Sequence, residues 1–215
     1  MTAQRLVIAG AGGFGRELHT WVNSSPEWAK RNLVGEIVFI DDKIPQISVR
    51  APIVSTIASY RPQENDLVIC AIGSPGVRKA LVSAFQQHSA RFATFVHDRA
   101  IIGDNVELGT GVVVCPDVLL SSDIRVADQV HINARCAIGH DVSIGEFATL
   151  SAGCNLTGNV TIGEMAFLAT AVTVIPGMQI GSSSYIGAGS VVIKNVPADV
   201  TVFGNPSVIV GRKLK

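Results

Sequence analysis

The side chains best suited to proton transfer in this 215-residue chain are its five histidines, His19, His88, His97, His131 and His140. An imidazole, with an unperturbed pKa of about 6.5, is largely neutral near pH 7 and can accept a proton from a nucleophile. His140 is followed at once by Asp141, whose carboxylate can hold the ring in one orientation. The pair therefore predicts a general base, whereas His19 and His88 lie in helical segments and are expected at the surface.

The elements that would hold this pair are indicated by a repeat of six residues. Every sixth position from Ile102 to Val192 is aliphatic, and the next residue is often glycine, as at Gly139 and Gly145. A period of six fits neither an amphipathic helix nor an ordinary strand. Each unit can instead form one short strand and one corner, so that three units close a triangular coil and successive coils stack about 4.8 Å apart. We predict a prism of parallel strands in which the aliphatic residues point inward and the glycines ease the corners.

Stacking with a period of 18 residues predicts what surrounds His140. The residue above it is Gly158, which leaves space beside the imidazole, and Lys194 follows on the same edge about 14 Å further along. This separation suits a base at a thioester and a cation near the phosphate end of an extended coenzyme. A second column consists of small residues that can line a narrow slot, namely Ala134, Ala152, Thr170 and Ala188.

The residues before the prism alternate between strand and helix patterns, which predicts a small parallel α/β sheet. We expect strands over residues 5–11, 35–40, 66–72 and 91–96, and helices over 16–22 and 76–88. Gly10, Gly12 and Gly15 form a G-x-G-x-x-G pattern between the first strand and the first helix, where backbone N–H groups can approach a phosphate. The roughly 100 residues available hold only one mononucleotide-binding half, so a full NAD site is not expected.

The overall composition argues against several classes of partner. Lysine plus arginine and aspartate plus glutamate each number 17, so the net charge gives no reason to expect a nucleic acid or an anionic membrane. No apolar stretch is long enough to span a bilayer and no signal-peptide pattern is present, so we expect a cytoplasmic protein. Cys136 and Cys154 are 18 residues apart and are expected to stack as buried thiols inside the prism; no metal site is predicted.

The order of these motifs resembles one branch of the hexapeptide-repeat acyltransferases. Gly-Ala-x-Gly-x-Gly is followed by Phe-Ile-Asp-Asp, by Ala-Ile-Gly with a later Arg, by Arg-Phe-x-Thr-x-Val-His and then by the repeats. That branch contains the sialic acid O-acetyltransferases and the N-acetyltransferases that act on nucleotide-linked 4-amino-4,6-dideoxy sugars. The resemblance implies an α/β N-terminal domain with a small Rossmann-like parallel sheet over residues 1–98, which binds the sugar nucleotide. It also implies an all-β left-handed parallel β-helix over residues 99–215, which binds acetyl-CoA and ends in a C-terminal tail.

The resemblance further assigns site residues and an assembly. His140 is the implied base, with Asp141 beside it, and the coenzyme slot is expected between adjacent prisms of a homotrimer. The positions implied to contact the nucleotide sugar are Gly12, Gly13, Phe14, Asp41, Asp42, Cys70, Gly73 and Asn133. The positions expected to contact the coenzyme are Thr149, Gly158, Thr170, Ala188 and Lys194. Relatives often have histidine at the positions of Phe14 and Thr149, and this chain departs from the pattern there.

The implied reaction moves the acetyl group of acetyl-CoA to the amino group of the nucleotide-linked sugar, in the biosynthesis of a surface polysaccharide. O-acetylation of sialic acid is the alternative within the same branch. An alternative of another class is a prism that is non-catalytic or metal-dependent, as in carbonic anhydrases of this fold. Three histidines must converge on such a metal, whereas His131 and His140 are nine residues apart and lie on different faces. The nucleotide, UDP, GDP or dTDP, and the sugar are left open.

Overall fold

The computed structural model describes residues 3–43 and 49–212 of the chain. Contacts within the chain divide it into two compact units, one ending at Asp98 and the other beginning at Arg99. The first unit combines strands and helices, and the second is built almost entirely of very short strands. The roles that the sequence assigns to the two units remain predictions.

The N-terminal unit is a four-stranded sheet with the order β3-β2-β1-β4, in which every neighbouring pair is parallel. Its strands are β1 (Gln4–Ala9), β2 (Val34–Ile40), β3 (Ile53–Ser55) and β4 (Asp66–Cys70). Its helices are α1 (Gly13–Asn23), α2 (Pro26–Arg31) and α3 (Pro75–Gln86). Because parallel strands are covered on both faces, β1 is a continuous apolar run, and Leu6, Val7 and Ile8 are fully buried.

Three of the predicted strands lie within two residues of the observed β1, β2 and β4. The predicted strand over 91–96 is wrong in extent, because only β5 (Phe95–Val96) and an isolated bridge at Phe92 form there. The sequence prediction also missed α2, which has only six residues, and β3, which has three. Elements this short carry too few residues for a period to be recognised.

The second unit stacks two-residue strands into three parallel sheets. One sheet consists of β7 (Glu107–Leu108), β10 (Arg125–Val126), β13 (Ser143–Ile144), β16 (Thr161–Ile162) and β19 (Gln179–Ile180). The next consists of β6 (Ile101–Ile102), β9 (Leu119–Leu120), β12 (Ala137–Ile138), β15 (Asn155–Leu156), β18 (Thr173–Val174) and β21 (Val191–Val192). The third includes β8 (Val113–Val114), β11 (His131–Ile132), β14 (Thr149–Leu150), β17 (Phe167–Leu168), β20 (Tyr185–Ile186), β22 (Val200–Phe203) and the antiparallel β23 (Val208–Arg212).

The aliphatic residue of each repeat forms the core of this prism. From Val114 to Val192, every sixth residue is buried, whereas Ile102 in the first coil is 39% exposed because no coil lies below it. Residues 18 apart are paired in register throughout, as Ile138 is with Leu156. The predicted period and its inward face are therefore confirmed.

The corners differ from the sequence prediction. The backbone turns through a left-handed conformation at the third residue after each inward aliphatic, and most of these residues are not glycine; Asp141, with φ of 59°, is one of them. The glycines that follow the aliphatic residue serve another purpose. A Cβ on Gly139 would lie 2.9 Å from the backbone nitrogen of Gly158, and one on Gly145 would lie 2.7 Å from that of Glu164. These glycines allow neighbouring coils to approach, so the prediction that they ease a corner is wrong.

The cysteines behave as the sequence predicts. All four are free and buried. Cys136 and Cys154 stack inside the prism, and their thiols donate to the carbonyl oxygens of Ser151 and Ala169 at 3.1 and 3.2 Å.

Candidate active site

His140 and Asp141 lie in the corner between β12 and β13. The left-handed conformation of Asp141, which aspartate tolerates better than most residues, turns its carboxylate back toward the preceding side chain. Its Oδ2 is 2.7 Å from Nδ1 of His140. A neutral ring that donates from Nδ1 to this carboxylate carries its lone pair on Nε2. The side chains are 59% and 54% exposed, so Nε2 is accessible as a proton acceptor.

Gly158 lies directly against the imidazole from the next coil. A Cβ at this position would be 2.5 Å from Cε1 and 2.6 Å from Nε2 of His140. Only glycine therefore lets the ring occupy this place. Within the described part of the chain, the N–H of Gly158 has no hydrogen-bond acceptor, so the imidazole and an available backbone donor lie side by side.

The remaining coenzyme positions fall on two different corners of the prism. Lys194 is exposed and lies three coils above His140, on the same corner. Thr170 and Ala188 follow β17 and β20, which belong to another sheet, and are exposed on the next corner of the triangle. A single prism therefore does not bring His140 together with Thr170.

Thr149 and Asn133 are engaged within the prism. Thr149 is paired in register with His131, and the two are only 2% and 1% exposed. The side-chain amide of Asn133 donates to the carbonyl of Leu150 at 2.9 Å. Their assignments to coenzyme and acceptor stay predictions, while the burial of His131 leaves His140 as the more accessible base.

The glycine turn of the N-terminal unit has room for a ligand. Gly10 has a φ of +107°, and a Cβ on Gly15 would collide with the Gly10 carbonyl, so both glycines are needed to pack α1 against β1. A Cβ on Gly12 or Gly13 would meet no atom within 4 Å. The helix begins here without an acidic residue in its first turn, which suits an anion. Phe14 is half-buried, with its ring centroid 6.1 Å from that of Trp21.

The two aspartates after β2 fix the surrounding backbone. Asp41 accepts the N–H of Ala11 at 2.7 Å, which ties the end of β2 to the glycine turn. Asp42 accepts the N–H of Ile57 at 2.9 Å and is exposed. Each carboxylate keeps acceptor capacity beyond these bonds. The structure thus places both beside the glycine turn or the strand next to it.

The loop after β4 differs from expectation at Cys70. This thiol is 1% exposed, and burial raises its pKa to about 12, so it is a neutral core group and the expectation that it lines a pocket is corrected. Gly73 is exposed, with open space where a Cβ would stand. The sequence prediction missed Arg78, which is fully buried and donates to the carbonyl of Ile72 at 2.7 Å. Its signal was the arginine that follows the Ala-Ile-Gly motif.

The histidines outside the prism are not catalytic candidates. The expectation that His19 lies at the surface is wrong, because it is 9% exposed, its ring centroid is 5.6 Å from that of Phe39, and burial lowers its pKa. His88 is exposed as predicted. His97 is buried, with Nε2 3.1 Å from the Ser24 hydroxyl.

Comparison with known proteins identifies the class. A family model of the PglD N-terminal domain matches residues 5–85. WeeI from Acinetobacter baumannii is 28% identical, over 97% of this chain and 100% of its own, with a TM-score of 0.87. The acetyltransferase domain of PglB from Neisseria gonorrhoeae is 25% identical over 96% and 100%, with a TM-score of 0.89. The chain is a hexapeptide-repeat acyltransferase.

A variant of perosamine N-acetyltransferase from Caulobacter crescentus, solved with CoA and GDP-perosamine, is 27% identical over 98% of each chain, with a TM-score of 0.86. No curated protein sequence matches the chain. The predicted resemblance, the left-handed parallel β-helix and the enzyme class are confirmed by these relatives. The predicted coenzyme is confirmed as well, since the PglB domain has also been solved with acetyl coenzyme A.

Two further properties follow from the described residues. No helix within residues 3–43 and 49–212 has the length and hydrophobicity needed to cross a bilayer. In the same ranges, no three histidine, cysteine or acidic side chains converge as a metal ion would require.

Proposed function

We propose that this acyltransferase moves the acetyl group of acetyl-CoA to the amino group of a nucleotide-linked 4-amino-4,6-dideoxy sugar, with His140 as the general base. The observation that carries the proposal is the exposed imidazole whose Nδ1 is paired with Asp141 at 2.7 Å and whose Nε2 lies against Gly158. Relatives with this fold include a perosamine N-acetyltransferase solved with CoA and a nucleotide sugar.

The chemistry needs one proton acceptor and one oxyanion donor. The neutral amine attacks the thioester carbonyl, a C–N bond forms, and Nε2 of His140 takes the amine proton. The N–H of Gly158 is next to the ring and is suited to stabilise the negative oxygen of the tetrahedral intermediate. When the C–S bond breaks, the imidazolium returns the proton to the departing thiolate of CoA. Asp141 stabilises the imidazolium that exists between these steps.

The N-terminal unit supplies the acceptor's position. The turn at Gly12 and Gly13 receives the diphosphate at the start of α1, and Asp41 and Asp42 lie close enough to the turn to contact the nucleoside. Binding energy from this remote part of the substrate holds the amine in place for attack. A free amino sugar lacks that contribution.

The active assembly is a homotrimer in this proposal. His140 and Lys194 lie on one corner of the prism, whereas Thr170 and Ala188 lie on the next. A coenzyme held between two prisms contacts one corner from each, which a single chain cannot provide. A closed ring of three copies satisfies such a heterologous interface without leaving a free surface.

Release of CoA with three matched acceptors tests the proposed function. The acceptors are the nucleotide-linked amino sugar with UDP, GDP or dTDP, the free amino sugar, and sialic acid. We expect turnover with one nucleotide-linked amino sugar, and a kcat/KM at least about 100-fold lower with the free sugar. Equal or greater kcat/KM with sialic acid would favour O-acetylation and contradict the N-acetyltransferase proposal, while leaving the coenzyme and the fold unaffected.

A further inference from the structure

Arg78 is an unusual residue in the N-terminal unit because its long cationic side chain is completely buried. It lies in the first turns of α3, and its exposure is 0%. Burial lowers the pKa of its guanidinium to about 10, which still leaves it charged at neutral pH. None of the contacts proposed for the nucleotide or the coenzyme uses it.

The guanidinium holds the loop that connects β4 to α3. Its Nη1 donates to the carbonyl of Ile72 at 2.7 Å and to that of Gly73 at 3.4 Å. Hydrogen bonds from a buried cation are stronger than those between neutral groups, since little water competes for the carbonyls. The two peptide units therefore have a fixed orientation.

That orientation has a consequence for the opposite edges of the same peptides. In a trans peptide, the C=O and the N–H point in opposite directions. With the carbonyls of Ile72 and Gly73 turned inward to Arg78, the N–H groups of Gly73 and Ser74 are directed away from the core. Both residues are exposed, and a Cβ on Gly73 would meet no atom within 4 Å.

This loop packs on the glycine turn that is proposed to receive the diphosphate. A Cβ on Gly10 would lie 3.0 Å from Cδ1 of Ile72 and 3.1 Å from the carbonyl oxygen of Ala71, and the N–H of Ala71 donates to Ala9 at 2.8 Å. The loop after β4 and the turn after β1 thus stand side by side at the carboxyl ends of adjacent strands, where ligands bind in parallel α/β sheets.

We infer that Arg78 is a positioning residue for the nucleotide site: it turns the peptides of the loop so that their N–H groups face a phosphate of the bound nucleotide. The inference rests on the proposed function, because it assumes that the nucleotide binds at this edge. Arg78 does not touch the ligand, and its effect is transmitted through the two carbonyls that it holds.

Calorimetric titration of the full-length protein with UDP, GDP and dTDP tests the inference, together with steady-state kinetics. For the nucleotide that wild type binds, Arg78→Met should raise the Kd by about 10- to 100-fold, the usual effect of losing a charged hydrogen bond. Arg78→Lys should give a smaller rise, because an ammonium can still donate to one carbonyl. The KM for the nucleotide sugar should rise in parallel, while the KM for acetyl-CoA and kcat stay unchanged.

Arg5→Lys is the matched control, since Arg5 is paired with Asp66 at the opposite end of β4, 2.8 Å away. It perturbs a guanidinium of the same sheet and should leave the Kd unchanged. If Arg78→Met does not fold, Arg78→Lys decides alone. An unchanged Kd in a folded Arg78 variant, or an equal rise in Arg5→Lys, overturns the inference and leaves the proposed function intact. Failure of the wild type to bind any of the three nucleotides contradicts the proposed function itself, and the inference with it.

Discussion

The two units hold their functional groups in place by different physical means. In the prism, the interior is aliphatic and the charged pair His140–Asp141 stands at the surface, more than half exposed. In the N-terminal unit, charged groups lie inside: Arg78 is fully buried, and Asp66 is 1% exposed and bonded to Arg5, Tyr60 and the Gln63 N–H. The prism positions its base through the backbone, and the sheet positions its loops through buried side chains.

The difference follows from where backbone hydrogen bonds are made. In the prism, each coil satisfies the N–H and C=O groups of the next at almost every residue, as the bonds Gly139 to Leu156 and Asn159 to His140 illustrate. Corner positions are therefore fixed to within one coil spacing, and only a glycine is required beside the ring. A loop such as 71–74 has no neighbouring coil, so its carbonyls need a side-chain donor. Substitutions in the prism should then act on chemistry, and those in the sheet on binding and stability.

The largest expected effect comes from removing the base itself. His140→Ala should lower kcat by about 10²- to 10⁴-fold, the usual share of general-base catalysis, with little change in the KM for acetyl-CoA. Asp141→Asn should have the same sign and a smaller size, because the ring remains. Stopped CoA-release assays at saturating acceptor measure both. Near-wild-type turnover by the His140 variant would transfer the base role to His131 or to the substrate.

A smaller effect is expected from displacing the base without removing it. Gly158→Ala adds a Cβ 2.5 Å from the imidazole, so the ring must move, and a displacement of this kind can lower kcat by about 100-fold. Gly145→Ala is the control, because its Cβ meets the backbone of a neighbouring coil at 2.7 Å but no catalytic side chain. We expect both variants to lose thermal stability and only Gly158→Ala to lose turnover. Equal losses of kcat would mean that coil packing, rather than the ring, sets the activity.

The smallest effect on activity is expected at the far end of the sheet, where the change should be confined to stability. Burial alone would raise the pKa of Asp66, but hydrogen bonds from Arg5, Gln63 and Tyr60 hold it below its ordinary value. Stability from this carboxylate is therefore fully present above the unfolded pKa of about 3.9 and is lost as the pH falls through the lower folded pKa. Arg5→Met should destabilise the protein by about 3 kcal/mol at pH 7 and by less below pH 4.

Thermal unfolding of the wild type and Arg5→Met between pH 3 and pH 7 measures this dependence. The gap in Tm should narrow on acidification, while kcat at pH 7 and 25 °C stays within about twofold of wild type. A gap of constant size across this range would show that Asp66 does not depend on its cation for ionisation.

Much of the architecture was accessible from the order of residues. The period of six predicted the prism, its inward face and the stacking of Gly158 on His140, because a repeat repeats its environment every 18 residues. The strands before the prism could be placed within two residues for the same kind of reason, as buried parallel strands are continuous apolar runs. The short elements α2 and β3, with six and three residues, were not accessible, since they bury too little to leave a pattern.

The sequence by itself determined which side chains share an edge of the prism, because position along a repeat is set by counting. Only the tertiary structure decided what each one does there. Glycines predicted to bend the corners prove to make room for the next coil, and Asp141 adopts the left-handed turn instead. Cys70, His19 and Arg78 turned out to be interior residues, because burial depends on elements far away along the chain, and the inward turn of one guanidinium cannot be counted from its own position.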